Sequence, residues 1–255
     1  MLKSRYSALE SIKIMGRESK QVMGPNIEVL LWNIFKCKKK GWQEDFRTLT
    51  SDKDLILLQE AILNTPFDSL FHQSLKHQWI MARSFKHVKS NIETGVKTGS
   101  CVAALEHYFA ASKHGEPFSN TKKMLLTTEY PLHDNEQSLL VVNSHLINFV
   151  SFEKFSVHLD QVFQTLEQHA GPILLAGDFN TWNGKRLRYI QELAKACALA
   201  EVKIVRKPKF SHLFQHLDHI YYRGLEVVAA QVHTHIRSSD HYPISLSLRT
   251  TESSG

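Results

Sequence analysis

Polar residues stand repeatedly at the C-terminal ends of short apolar runs in this sequence. VLLWN ends in Asn33 and LILLQE in Glu60, LLVVNSHL carries Asn143 and His145, and ILLAGDFN carries Asp178 and Asn180. HLDHIYY adds Asp218 and His219, and SSDHYPISL opens a further run with Asp240 and His241. A rigid sheet delivers reacting groups at such places, because side chains there emerge into a crevice. Carboxylates and imidazoles can move protons, and carboxylate and amide oxygens suit a hard divalent cation. Taken singly, each residue has an ordinary explanation: Glu60 a solvated strand end, Asn33 a turn residue, Asp178-Phe179-Asn180 an Asx turn. His145 alone reads as a core histidine, and Asp218 and Asp240 as strand-edge charges. The ordered set is what points to a site.

The elements that must hold these residues are short apolar strands: 27–34, 55–58, 101–105, 124–128, 139–143, 173–176, 219–222, 225–232 and 244–248. Helical patterns interleave. Ser151–His169 spaces Phe152, Phe155, Leu159, Phe163 and Leu166 by three and four, and stops at Gly171-Pro172. Gly184–Ala200 puts Leu187, Ile190, Leu193, Ala194 and Cys197 on one face, and Phe67–Lys76 is a shorter candidate. Strand pairs without a helix between them imply hairpins, so mixed sheets covered by helices are expected. The Gly-punctuated Thr94–Ser100 segment reads as a loop.

Composition bounds the class. The chain has 255 residues, 42% of them hydrophobic, with 11 Gly and 7 Pro, which excludes a disordered or collagen-like chain. Residues 1–25 read as a polar lead-in, 26–250 as a single domain, and TTESSG as a frayed tail. No apolar run approaches the ~18 residues of a membrane helix, and the charged N-terminus lacks a signal-peptide core. Three widely spaced cysteines make no zinc or disulfide pattern. A cytoplasmic location is the expectation. The net charge of +6 favours a polyanionic partner.

The order of the motifs resembles the endonuclease/exonuclease/phosphatase superfamily, which includes deoxyribonucleases, apurinic endonucleases, inositol-polyphosphate 5-phosphatases and neutral sphingomyelinases. The matching pieces are WN at 32–33, QE at 59–60, NSHL at 143–146, GDFN at 177–180, LDHIYY at 217–222 and SDHYPI at 239–244. They are most similar to the small bacterial YafD-like branch. The resemblance implies a four-layer α/β sandwich, two packed mixed β-sheets flanked by helices, and hydrolysis of phosphoesters with Mg²⁺ or Mn²⁺. It makes Glu60 the principal metal ligand, with Asn33 and Asp240 on the metal side. It makes His241 the general base or phosphate-polarising group, oriented by Asp218. Asp178 would align water or assist the leaving group, Asn180 and Asn143 would donate to the phosphate, and His145 would protonate the leaving oxygen. One departure is Phe35, which stands where apurinic endonucleases carry an acid two positions after the Asn; it weakens that reading and leaves the metal site leaning on Glu60.

Basic residues flank these motifs. Lys36, Lys38, Lys39 and Lys40 follow Asn33 closely, Lys86, Lys89 and Lys97 are expected on another loop, and Lys185, Arg186 and Arg188 follow GDFNTW. Lys38, Lys39, Lys40, Lys97, Thr98 and Arg186 are the candidate phosphate contacts, with Trp182 placed to stack on a base or ring. A phosphate-containing substrate is expected, nucleic acid first, with no obligate protein partner. The alternatives are a phosphoinositide or sphingomyelin hydrolase, with the WNIFKCKKKGW stretch dipping into an anionic membrane at Trp42, and an inactive binding module.

Overall fold

Successive side chains on a strand point to opposite faces, so an unbroken apolar run such as Val29-Leu30-Leu31-Trp32 needs cover on both sides. The computed structural model describes residues 3–7, 10–63, 76–117, 119–133, 137–204 and 217–251. It supplies that cover with two stacked sheets and helices outside them. The larger sheet holds β1 (Lys3–Arg5), β2 (Ile12–Gly16), β3 (Asn26–Asn33), β4 (Leu55–Leu63), β5 (Gln78–His87) and β6 (Glu93–Ser100), with β13 (Leu225–Val232) and β14 (Ile244–Thr250). Its order is β1-β5-β6-β4-β3-β14-β13, with β2 also on β5. The smaller sheet holds β7 (Glu106–Ala111), β8 (Met124–Pro131), β9 (Ser138–His145), β10 (Ile173–Asp178), β11 (Ala200–Glu201) and β12 (Asp218–Arg223), in the order β11-β12-β10-β9-β8-β7. Both sheets are mixed: β3/β4 and β9/β10 are parallel, and the other pairs are antiparallel.

Val29, Leu31, Leu55 and Leu57 meet Leu139, Val141, Leu174 and Ala176 between the sheets. The alternate residues Leu30, Trp32, Ile56 and Leu58 face outward onto Trp42, Phe46 and Leu49 of helix α1 (Trp42–Thr50). On the far side Leu140, Val142, Ile173 and Leu175 pack against Phe155, Leu159 and Phe163 of α2 (Phe152–Gln164) and Ile190 of α3 (Gly184–Ala196). This is the expected helix–sheet–sheet–helix sandwich. No described helix is long and apolar enough to cross a membrane.

Several local expectations are corrected. The described residues within 1–25 are no loose lead-in: β1 and β2 pair with β5, and Met23, 0% exposed, joins the core between the sheets. Thr94–Ser100 lies in strand β6, and Cys101–Leu105 is a connection outside the strands, with an isolated bridge from Val102 to Lys20 and the Leu105 N–H donating to the Glu129 carbonyl of β8 at 2.8 Å. Glycine misleads here because it serves close packing: a Cβ on Gly99 would lie 2.6 Å from the Trp79 ring. The strands β5 and β7 and helix α1 had no sequence signal strong enough to be singled out. The Phe67–Lys76 candidate lies almost wholly outside the described residues.

Gly177, beside Asp178, has φ +156°, and a Cβ there would sit 1.8 Å from the Ser144 carbonyl oxygen on β9. Gly177→Ala is expected to destabilise the protein by about 2–4 kcal/mol, measured as a lowered urea midpoint. An unchanged midpoint would contradict the close β9/β10 approach.

Candidate active site

Three neighbouring strands of the smaller sheet put three of the candidates in one row. Asp178 on β10 pairs with His145 on parallel β9 and with Asp218 on antiparallel β12. On the facing sheet Asn33 ends β3, and His241 lies just ahead of β14, whose first residue Ile244 pairs with Leu31. Antiparallel pairing sets the start of one strand level with the end of its neighbour, so all these residues reach the same edge of the sandwich.

They meet at Asp178, which is 2% exposed. Asn33 Nδ2 donates to its Oδ2 at 3.0 Å, and the Asn180 backbone N–H donates to its Oδ1 at 3.1 Å. His145 Nε2 and His241 Nε2 lie 3.5 and 3.8 Å from the same Oδ2. His241 Nδ1 donates to Asp218 Oδ2 at 2.8 Å, which leaves Nε2 directed at the site. Burial alone would lower the His241 pKa, but Asp218, by charge and hydrogen bond, and then Asp178 and Asp240 raise it to about 10. Burial raises the Asp178 carboxyl, joined by repulsion from Asp218 and opposed by the charges of His241 and Lys123. His145 is held well below the ordinary histidine range by burial and by the nearby Lys123 and Lys36 charges.

Glu60 is placed by backbone irregularity. The β4/β6 pairing slips between Leu58 and Ala61, and Glu60 adopts φ +49°. A bulge re-aims a side chain in this way. Phe35, Lys36 and Cys37 also have positive φ, at 51°, 53° and 56°. Lys36 Nζ donates to Glu60 Oε2, and Lys123 Nζ lies 3.7 Å from Glu60 Oε1 while donating to His145 Nε2 at 2.9 Å. Burial would raise the Glu60 carboxyl, but Lys123 and Lys36 outweigh it and hold the group below its usual range. Glu60, His145, Lys36, Lys38 and Lys123 line one cavity of about 530 Å³ that runs on to Phe85 and Ile92.

Other candidates take different places. Asn143 is 0% exposed: its amide donates to the Leu58 and Lys97 carbonyls and Thr98 Oγ1, and Gln59 Nε2 donates to its Oδ1 at 2.7 Å. It ties the sheets together and does not face a substrate. Lys97 and Thr98 are likewise 0% exposed, with the Lys97 ammonium 5.6 Å from the Trp79 ring centroid. Arg186, 1% exposed, donates to the carbonyls of Asn180 (2.9 Å) and Val150 (2.8 Å). It braces two loops and is no surface phosphate contact. Lys39 Nζ donates to the Ser239 carbonyl at 2.6 Å, Lys40 is exposed, and Asp240 is half-buried, accepting from Ser239 Oγ at 3.3 Å. Trp182 is exposed. Sequence reasoning missed Lys123 and Glu116, which pair at 3.4 Å. Lys123 precedes β8, so only antiparallel β8/β9 pairing brings it beside His145.

The family model described as Endonuclease/Exonuclease/phosphatase family matches residues 30–241. The chain belongs to this family. A UPF0294 protein of Erwinia tasmaniensis is 33% identical over 224 residues, covering 88% of this chain and 81% of the relative. The crystal structure of an endonuclease/exonuclease/phosphatase from Beutenbergia cavernae superposes with TM-score 0.72 at 17% identity, covering 89% of this chain and 72% of that one. D. rerio TDP2 complexed with single strand DNA product superposes at 0.64 with 15% identity, covering 88% and 99%. These likenesses show the shared fold.

The family implies a divalent metal, and the donors suit one. Among the described residues no three His, Cys, Asp or Glu side chains are grouped to enclose an ion. Glu60 is instead an ionised carboxylate whose two oxygens both face ammonium groups, marking a place that stabilises positive charge. With the Asn33 amide oxygen it offers the sparse oxygen set of a Mg²⁺ or Mn²⁺ site, which keeps waters and takes substrate phosphate.

His241→Ala and Asp218→Asn are each expected to lower hydrolytic turnover by about 10²–10⁴-fold, with the double variant little worse than His241→Ala. A kinetic double-mutant cycle checks this; multiplying losses would show that the two residues do not act as a unit.

Proposed function

We propose that this endonuclease/exonuclease/phosphatase-family hydrolase is a Mg²⁺- or Mn²⁺-dependent phosphodiesterase acting on nucleic acid. The observation that carries the reading is the convergence of Asn33, His145 and His241 on Asp178 Oδ2, within 3.0–3.8 Å, on the same edge as Glu60. A metal held by Glu60 and Asn33 would supply charge neutralisation on the phosphoryl oxygens. Asp178 Oδ2 accepts the proton of, and thereby aligns, the attacking water, while Asn33 Nδ2 fixes the carboxylate's orientation. His241, held by Asp218, donates from Nε2 to a non-bridging oxygen. His145, held below the ordinary histidine range, accepts from Lys123 and so positions that ammonium toward the phosphate; the leaving oxygen, once its bond to phosphorus breaks, takes its proton from solvent water.

Nucleic acid is favoured over a single-headgroup substrate by positive charge beyond one phosphate. Lys36 and Lys123 pair with Glu60 and Glu116 in the cavity, while Lys38 on its lining and exposed Lys40 on its approach lie beyond those pairs, where a neighbouring phosphate would sit. Such contacts give affinity that falls with salt. TDP2, similar in fold, has been captured with single-stranded DNA product.

The test is hydrolysis of single-stranded DNA, RNA, a phosphoinositide and sphingomyelin side by side. EDTA should abolish turnover, Mg²⁺ or Mn²⁺ should restore it, and KM for the nucleic acids should rise with ionic strength. Lys38→Glu with Lys40→Glu should raise that KM and flatten the salt slope by about 0.7 per lost phosphate contact; Lys39 is left intact because it ties Ser239. Full turnover in EDTA, or turnover on lipid alone, would overturn the proposal.

A further inference from the structure

Two large aromatic side chains stand out of the surface beside the site: Phe149 is 72% exposed and Trp182 50%. Exposed aromatics are common on mobile loops, but these two are held. The Asn148 Oδ1 accepts from both the Phe149 backbone N–H, at 2.8 Å, and Trp182 Nε1, at 3.0 Å. Phe149 is kept at φ +53°, a costly conformation for a bulky residue that persists only where its surroundings over-determine it.

The two loops that carry them are the loops that carry the site. Leu146 N–H donates to the Asp178 carbonyl, and Asn180 Nδ2 donates to the Leu146 carbonyl, both at 2.8 Å. Arg186 joins Asn180 to Val150 from below, with its guanidinium 4.7 Å from the Trp182 ring centroid. Ile147 N–H donates to His158 Nδ1 at 3.1 Å, and Asn148 N–H donates to Glu116, which pairs with Lys123 in the cavity. A chain of hydrogen bonds therefore runs from the reacting edge to the two rings. The charge nearby in sequence is mainly positive: exposed Lys154, Lys185 and Arg188 follow these loops within a few residues, against Glu153, and Lys185 lies 4.0 Å over the Phe152 ring.

We propose that Phe149 and Trp182 form a preorganised stacking platform for the bases of single-stranded nucleic acid next to the phosphate being cleaved. This rests on the nucleic-acid reading above. Rigid aromatics with cations beside them fit an unpaired base and its backbone, because any base presents a π-face and stacking needs no sequence. The site's own catalytic residues read only the phosphate, so the platform selects polymer over small phosphoester.

The molecule has its own probe. Of its tryptophans, Trp32, Trp42 and Trp79 are 1%, 6% and 0% exposed, so quenching by a bound base reports Trp182. In an Asp178→Asn background, (dT)₁₂ binding is followed by intrinsic fluorescence and by anisotropy of labelled oligonucleotide. The expected result is quenching on binding, lost in Trp182→Ala, with about tenfold weaker Kd for Phe149→Ala and for Trp182→Ala and near-normal Kd for Trp182→Phe. Circular dichroism verifies that each variant is folded. No binding, or Kd unchanged in both alanine variants, overturns the platform. So does Trp182 emission that shifts on phosphatidylglycerol vesicles and not on (dT)₁₂, which would make the pair a membrane anchor. Wild-type hydrolysis of single-stranded DNA with Mg²⁺ or Mn²⁺ is measured in parallel: its absence would count against the hydrolase reading, whereas its presence with unaltered oligonucleotide Kd in the alanine variants would count against the platform alone.

Discussion

A carboxylate buried to 2% exposure is stable only if its oxygens are answered, and Asp178 is answered from both sheets. Its own loop supplies the Asn180 N–H, and the larger sheet supplies Asn33. His241, anchored on Asp218, adds a cation at the same point. This edge of the sandwich therefore holds together only when the sheets are stacked in the correct register. The Gln59–Asn143 bond and the Asn143 donations to Leu58 and Lys97 reinforce the same seam from inside. Folding and site assembly are one event here, because the polar groups that close the seam are those that border the chemistry.

Part of the backbone strain sits at that seam. Glu60 and Asn180 are non-glycine residues at φ +49° and +50°, and a left-handed turn at Phe35–Cys37 begins two residues after Asn33. Asn180 and the Phe35–Cys37 turn lie just past the ends of β10 and β3, while Glu60 sits at a bulge within β4. Such conformations survive when neighbours leave no alternative. For Glu60 the bulge, Lys36 and Lys123 together set the carboxylate's aim; for Asn180 the Leu146 carbonyl and Arg186 do the same. Arg186 is thus a brace whose charge is spent on backbone carbonyls and two aromatic rings.

Charge at the cavity is balanced in a way that suits exchange. Lys123 is shared between Glu60, Glu116 and His145, so its ammonium has several places within reach. Glu116 connects this charge to Asn148, and through it to Phe149 and Trp182, which ties the outer rings to the cavity.

How much of this was legible in the chain divides along physical lines. Unbroken apolar runs declared strands buried on both faces, and the three–four spacing of Phe155, Leu159 and Phe163 declared an outer helix, because burial periodicity is a local property. The ordered motifs from WN to SDH identified the family because their residue types recur in one sequence order. Local patterns failed where neighbours decide. Thr94–Ser100 looks like a loop until Trp79 is laid against Gly99, and residues 1–25 look loose until β5 is there to pair with them. Asn143, Lys97 and Arg186 have the side chains of phosphate contacts, yet strand facing and loop bracing bury all three. Lys123 carries no signal in its own segment; it becomes a site residue because β8 runs antiparallel to β9 and its start falls beside His145. The sequence by itself determined which chemical groups are present and which elements carry them. Only the tertiary structure decided which of them face one another, since pairing register and sheet stacking are set by contacts between distant segments.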